Sequence, residues 1–218
     1  MTVSKSWVAA TVRKHRLEIG ERRRDWKRRI PPPMPTNRVW GADLTTKMDI
    51  EGVVRPILGL VDHGSRFAVG LQTLADKASV TLLRALLDAI ERHGRPRAIR
   101  TDNEAVFTSR LFRFALWLLR IRHQRTEPHC PWQNGRVERF FGTLKAKLDV
   151  WAVDGRDQLV VALADFRAWY NFVRPHQHLG GRTPAETWSG IDPFAAAPRT
   201  ASYFSAWDGM LTGFYLRR

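Results

Sequence analysis

Cysteine is nearly missing from this chain: Cys130 is the only one among 218 residues. A lone thiol excludes an intramolecular disulfide and any multi-cysteine zinc site, and it fits a reducing compartment. Long apolar runs are missing too. None approaches the ~18 residues that a bilayer-spanning helix needs, and no apolar segment near the first residue has the form of a secretory signal. A soluble, cytoplasmic protein with no membrane attachment is therefore expected. Acidic residues are scarce beside basic ones, 21 Asp and Glu to 36 Lys and Arg, for a formal net charge of +15. A field of that size draws polyanions through counterion release, so nucleic acid leads the candidate partners, ahead of anionic membranes and acidic proteins. Ten of the basic residues and only three acidic ones fall within residues 1–35.

Such a length can bury one full core with a small appendage. Trp7, Val8, Val12, His15 and Ile19 recur at rough helical spacing and predict a basic helix or helix pair. Pro31, Pro32, Pro33 and Pro35 forbid its continuation and favour an extended linker. The organisation expected is a basic helical segment and linker over 1–37, a core over 38–189, and a tail over 190–218. No clear pattern marks the tail; Phe204, Trp207, Phe214 and Tyr215 are expected to pack it on the core or to mediate assembly.

Within the core, RVWGADLT, VVRPILGLVD and RFAVGLQTL are short apolar runs bounded by turn residues, which predicts an antiparallel three-strand meander. Pro56 suggests an edge or a bulge near the start of the second strand. Asp76 is placed to cap a helix whose stripe is Val80, Leu83, Leu86, Leu87 and Ile90, ending at Gly94. PRAIRTD then reads as a strand, Ser109–Leu119 as a helix and IRHQRT as a strand. The order βββαβαβ predicts an α/β fold, a mixed sheet covered by helices. After the loop EPHCPWQN, Asn134 can cap a helix whose buried stripe is Val137, Phe141, Leu144 and Leu148, so that Glu138 and Lys145 share another face. A further amphipathic helix over 157–173 uses Leu159, Leu163, Phe166 and Tyr170.

Three carboxylates stand out against this framework. Asp43 falls within the first strand, on the face opposite Trp40, Ala42 and Leu44. Asp102 ends the fourth strand, where open α/β sheets place ligands. Glu138 follows with 35 residues between. Two divalent metals about 4 Å apart need carboxylates converging from separate elements to hold an attacking and a leaving oxygen in line. Asp62 is assigned to the VDHGSR turn, and Asn103 either orients a carboxylate or stabilises its own turn. Trp132 either stacks on an unpaired base or packs its loop against the core. The H-x-H pair His176 and His178 lacks an accompanying cysteine cluster and is not taken as a metal site.

Taken together, WGADLT, VDHGSRFAVG, IRTDNEAVFTS, CPWQNGRVERFFGTLK and YNFVRPHQHLGGRTPAE resemble the retroviral-integrase-type catalytic core of bacterial insertion-sequence transposases, of the IS481-like or IS3-like kind. The resemblance runs from about Val39 to Trp188. It implies an RNase H-like fold with a five-stranded mixed sheet, and Asp43, Asp102 and Glu138 as a DDE triad. The implied cofactor is a pair of Mg²⁺ ions, replaceable by Mn²⁺, both hard cations suited to carboxylate oxygens. The implied activity is metal-dependent DNA cleavage and strand transfer at the ends of a mobile element.

The same resemblance makes Lys145 a contact to element-end DNA; Arg136 and Arg139 are each either a phosphate contact or simply surface. Glu104 departs from the pattern, standing where many relatives carry glycine. Implied partners are double-stranded DNA, both element ends and target, and a homodimer or larger synaptic assembly in the bacterial cytoplasm, at the nucleoid. The family's helix-turn-helix module leads to three expectations for the basic segment: the end of such a module, a phosphate-gripping linker, or a part completed by a separately encoded helix-turn-helix protein. Two alternatives are an idle DNA-binding remnant and a plain RNase H-like nuclease.

Overall fold

Apolar runs of six to ten residues flanked by Gly, Asp and Ser are too short for helices and find partners as strands. The computed structural model describes residues 3–28, 34–127 and 134–217. In it β1 (Val39–Met48), β2 (Val54–Asp62) and β3 (Ala68–Thr73) form the antiparallel meander, with a bulge at Leu60/Val61. β4 (Ala98–Thr101) joins the other side of β1 in parallel, and β5 (Arg122–Arg125) joins β4 in parallel. The sheet order β3-β2-β1-β4-β5 is the mixed, RNase H-like arrangement expected.

Pro56 sits in an inner strand, in register with Thr46, and not at an edge. Its carbonyl accepts from Leu74 N–H at 2.8 Å, so its nitrogen faces the same neighbour. The regular ladder with β3 starts at Ile57↔Thr73, so the missing N–H falls at its end.

Helices cover both faces. On one, α3 (Ser79–His93), α4 (Ala105–Thr108) and α5 (Arg110–Leu118) enclose Trp40, Leu58, Leu60, Ile99, Phe107 and Phe112. On the other, α6 (Gly135–Leu148) and α7 (Gly155–Ala168) enclose Ile57, Val61, Val137, Phe140, Phe141 and Phe166. Ser109 caps α5 through Phe112 N–H at 3.1 Å. The cap of α3 differs from expectation: Asp76 accepts from Ala78 N–H in the turn before the helix, and Ala78 takes the cap position without a side-chain bond. Its stripe differs too. Leu82, Ala85 and Ala89 are buried beside Leu83 and Leu86, whereas Val80 and Leu87 face solvent. Alanines let the helix lie close to the sheet, and a search for large apolar residues overlooks them.

After α7 the chain widens into a π-helical turn, Trp169–Val173, then passes a short 3-10 turn to α8 (Pro184–Trp188), which carries a complete Thr183/Glu186 capping box. The last residues form a hairpin, β6 (Thr200–Ala206) with β7 (Leu211–Arg217). Trp207 and Leu211 are buried in the α6–α7 core, and Trp207 stacks on Trp151 at 4.9 Å and 9°.

The chain divides into two compact units, Met1–Pro33 and Met34–Arg218. The first holds α1 (Lys5–Lys14), capped by Ser4 through Trp7 N–H at 3.2 Å, and α2 (Arg16–Arg28). Among the described residues no helix is long and apolar enough to cross a membrane.

Candidate active site

Gly41 of β1 pairs with Arg100 of β4. In-register residues of parallel strands point to one side of a sheet, so Asp43 and Asp102, each two residues further on, emerge on the same side from neighbouring strands. That side faces α6, since a Cβ added to Gly41 would lie 2.3 Å from Val137 Cγ2. Trp40 and Ala42 fill the opposite core, as alternation requires. α6 buries Val137, Phe140, Phe141, Leu144 and Leu148 and leaves Glu138 and Lys145 exposed. Its buried stripe thus holds the helix against the sheet while Glu138, in its first turn, stays outside the core.

Asp43 is half-buried and its Oδ1 accepts Leu44 N–H at 2.8 Å. Burial pushes its carboxyl up to about 6; the negative charges of Asp102, Glu104 and Glu138 push the same way, against the pull of the Leu44 bond. All four carboxylates therefore share one field. Asp102 Oδ1 accepts Glu104 N–H at 2.9 Å, and Glu104 Oε1 pairs with Lys77 Nζ at 3.2 Å. No ion pair among the described residues involves Asp43, Asp102 or Glu138.

The donor chemistry fits a hard divalent cation: three carboxylates, one of them partly desolvated, that no ion pair among the described residues neutralises. The trio is brought within electrostatic reach and no closer. Among the described residues no group of three or more His, Cys, Asp or Glu lies close enough together to hold a metal ion.

A basic, largely buried group supports this site one pleat back along the strands. His63 is 2% exposed. Its N–H donates to Val39 O at 2.8 Å, and its carbonyl accepts from the Arg136 guanidinium. Burial, with Arg100, Arg136 and Arg66 nearby, pushes its imidazole down to about 3, so the ring is neutral at physiological pH. His63 Nε2 and Asn134 Oδ1 lie 2.6 and 3.1 Å from where a Cβ on Gly41 would stand, and neither has a hydrogen-bond partner among the described residues. Asn134 holds the N-cap position of α6, yet its side chain makes no capping bond and is buried instead.

The other sequence-derived candidates separate. Arg136 is turned inward to His63, whereas Arg139 is exposed and donates to His178 Nε2 at 3.1 Å. Trp132 lies outside the described residues. Asn103 Nδ2 donates to Thr126 O at 2.9 Å, which ties the loop after β4 to the end of β5. Asp62 is a turn residue as expected, accepting from both Ser65 N–H and Oγ at 2.7 Å. His176 packs edge-on against Tyr170 at 4.7 Å. Sequence reasoning passed over His63 and Arg100. Arg100 could have been found by parity, since it stands two residues before Asp102 on a predicted strand.

Comparison with known proteins bears on family and fold. Models of the integrase core domain match residues 119–184 and 35–131. An uncharacterised 39.2 kDa protein of insertion element IS476 from Xanthomonas euvesicatoria is 33% identical over 193 residues, covering 86% of this chain and 51% of that protein. An uncharacterised 31.7 kDa protein of insertion element IS407 from Burkholderia multivorans is 28% identical over 159 residues, covering 71% of this chain and 56% of that one. The chain spans about half the length of these curated relatives.

Two solved structures share the fold. The HTLV-2 integrase catalytic core domain, in complex with magnesium, superposes with a TM-score of 0.57 at 22% identity over 71% of this chain and 98% of that one. The simian T-cell lymphotropic virus intasome in complex with PP2A regulatory subunit B56 gamma gives a TM-score of 0.64 at 23% identity, over 86% and 69%.

Proposed function

Because the chain belongs to the integrase core domain family, we propose that it is the catalytic core of a DNA transposase. It nicks DNA at the ends of a mobile element and joins the freed 3′-hydroxyl to target DNA by transesterification. The observation that carries this reading is the placement of Asp43, Asp102 and Glu138, which arrive from β1, the end of β4 and α6 and have no ion-pair partner among the described residues.

Asp43 and Asp102 would together hold one divalent ion, and Asp43 with Glu138 a second. When bound, a Mg²⁺ pair acidifies the attacking water or 3′-hydroxyl and stabilises the departing 3′-oxygen. Leu44 N–H fixes one oxygen of Asp43, and Glu104 N–H does the same for Asp102, so each presents its remaining lone pairs in a set direction. α6 carries Lys145 on the exposed face that it shares with Glu138, where an ammonium group offsets the charge of an incoming phosphate. No covalent link between DNA and protein and no ATP is required.

Two DNA ends must be brought together, which supports a dimer or larger assembly acting at the bacterial nucleoid. The proposed source of end recognition is a helix-turn-helix module, carried on the same protein or encoded separately. The idle-remnant alternative draws on one observation, that no metal-holding cluster occurs among the described residues.

A joining assay separates the two readings. Purified protein is incubated with a duplex of the native element end, a plasmid target, and Mg²⁺ or Mn²⁺, with a dideoxy-terminated duplex as control. Metal-dependent joined product that vanishes with the dideoxy end is expected. DNA binding without cleavage or joining in either metal, with the helix-turn-helix partner also supplied, would contradict the active reading.

A further inference from the structure

α5 is apolar on both sides, and the core covers only one of them. Phe112 and Leu116 are buried in the layer that holds Trp40, on the sheet face opposite the carboxylates. Leu111, Phe114, Trp117 and Leu118 stand outside that layer, 45%, 58%, 71% and 66% exposed. Single exposed apolar residues are ordinary. Four large ones on two turns of one helix form a patch, and a helix that is apolar all round is one that something covers.

The patch is held in place. Phe114 and Trp117 stack on each other at 5.7 Å and 29°. Ser79 Oγ of α3 and Ser109 Oγ, 2.8 Å apart, tie the start of the helix, and the Arg95 guanidinium ties its end by donating to Leu119 O at 2.8 Å. A partner would meet a preformed surface, with little ordering to oppose binding.

Charge specifies the partner. Between Glu104 and Glu127 the chain has five arginines and no acidic residue. All five are exposed, and none joins an ion pair among the described residues. Arg110 precedes Phe114 by one helical turn and Trp117 by two, so a guanidinium shares the aromatic stripe, and Arg113 stands one turn before Trp117. Aromatic residues with arginine are the composition of protein-binding surfaces. A second copy placed across a two-fold axis would set these arginines against themselves. A bilayer would have to take in Arg110 with the rings, and duplex DNA offers Leu111 and Leu118 no apolar surface.

We propose that the exposed face of α5 docks an acidic, amphipathic helix of another protein. Apolar side chains of that helix pack on Phe114 and Trp117, and its Asp or Glu side chains meet Arg110 and Arg113. The surface lies across the sheet from the carboxylates and goes beyond the transposase reading, so it stands or falls independently of DNA joining.

The test is selection from a displayed library of helical peptides, depleted on Phe114→Ser/Trp117→Ser and then selected on the wild-type full chain. Depletion on a variant of unchanged charge removes peptides drawn only by the +15 field, and the replaced side chains are exposed, so folding is preserved. Enriched sequences should carry Asp or Glu beside apolar residues at helical spacing. As labelled synthetic peptides they should bind wild type at least about tenfold more tightly than either Phe114→Ser/Trp117→Ser or Arg110→Gln/Arg113→Gln. Val160→Ser/Val161→Ser, an equal apolar loss at exposed positions of α7, should bind as wild type does. No enrichment, enrichment without an acidic excess, or an equal loss in the α7 variant would overturn the proposal.

Other occupants are scored directly. A dimer seen by sedimentation without peptide, and dissolved by Phe114→Ser/Trp117→Ser, would assign the face to a second copy and overturn the proposal. Loss in that variant of binding to phosphatidylglycerol vesicles or to duplex DNA would overturn it equally.

Discussion

Asp43 couples the site to stability in a way that can be measured without any metal. Its carboxyl is raised from 3.8 to about 6 in the folded chain, so ionising it opposes folding. Sign follows from linkage: relative stability is greatest below the unfolded value and is lost as pH rises through about 6. Asp43→Asn keeps an acceptor for Leu44 N–H and removes the ionisation. In chelator it should be more stable than wild type by roughly 2–3 kcal/mol well above pH 6, the gain shrinking to nothing near 3.8. Urea unfolding across that range checks this; an Asn variant less stable at every pH would contradict it.

A second residue-scale test concerns Gly41. A Cβ there would meet Val137 Cγ2 at 2.3 Å and His63 Nε2 at 2.6 Å, whereas one at Gly142, mid-helix in α6, meets nothing within 4 Å. Gly41→Ala should cost roughly 1–3 kcal/mol, and Gly142→Ala should gain about 0.5–1 kcal/mol, both read by thermal unfolding. The face of Asp43 was legible because Trp40, Ala42 and Leu44 alternate with it. His63 was not: a histidine between Asp62 and Gly64 looks like a solvated turn. It is buried only because Gly41 leaves space across the sheet and Asn134 closes it.

At the scale of elements, the π-helical turn Trp169–Val173 has a definite task. Asn171 Oδ1 accepts Ala68 N–H at 2.8 Å and its Nδ2 donates to Ala68 O at 3.1 Å, so one side chain supplies the bonds that a strand beyond β3 would make. Removing it strands two buried backbone groups, and Asn171→Ala should cost roughly 2–4 kcal/mol. A change under 0.5 kcal/mol in chemical unfolding would show that the bonds are dispensable.

The terminal hairpin is the element least visible in the sequence. β6 and β7 are exposed along most of their length, so apolar and polar residues do not alternate cleanly. Its turn also hides behind Trp207 and Asp208, which take positive φ of 53° and 49°, conformations usually left to Gly or Asn. Trp207 nonetheless stacks on Trp151, and Trp207→Ala should lose about 3–5 kcal/mol. The meander and the helices around it were legible for the opposite reason. Their runs are bounded by Gly, Asp and Ser and each buries one face, while α3 misled at its cap and in its stripe, where Leu82, Ala85 and Ala89 are buried and Val80 and Leu87 are not.

For the whole molecule the formal charge is +15, of which ten basic and three acidic residues place +7 in residues 1–35, and the candidate site on the RNase H-like core gathers four acidic residues. Under the proposed function that contrast has one reading: cations would hold the polyanion while the local acidic field would hold the divalent ions that polarise it. The most direct test is joining of a 3′-hydroxyl duplex end to target DNA by Asp43→Asn, Asp102→Asn and Glu138→Gln, with duplex binding measured alongside. Each variant is expected to bind DNA as wild type does and to lose joining by ~10³-fold or more, about 4 kcal/mol of barrier. Joining that persists at wild-type rate in Glu138→Gln would contradict the assignment of this trio as the catalytic centre.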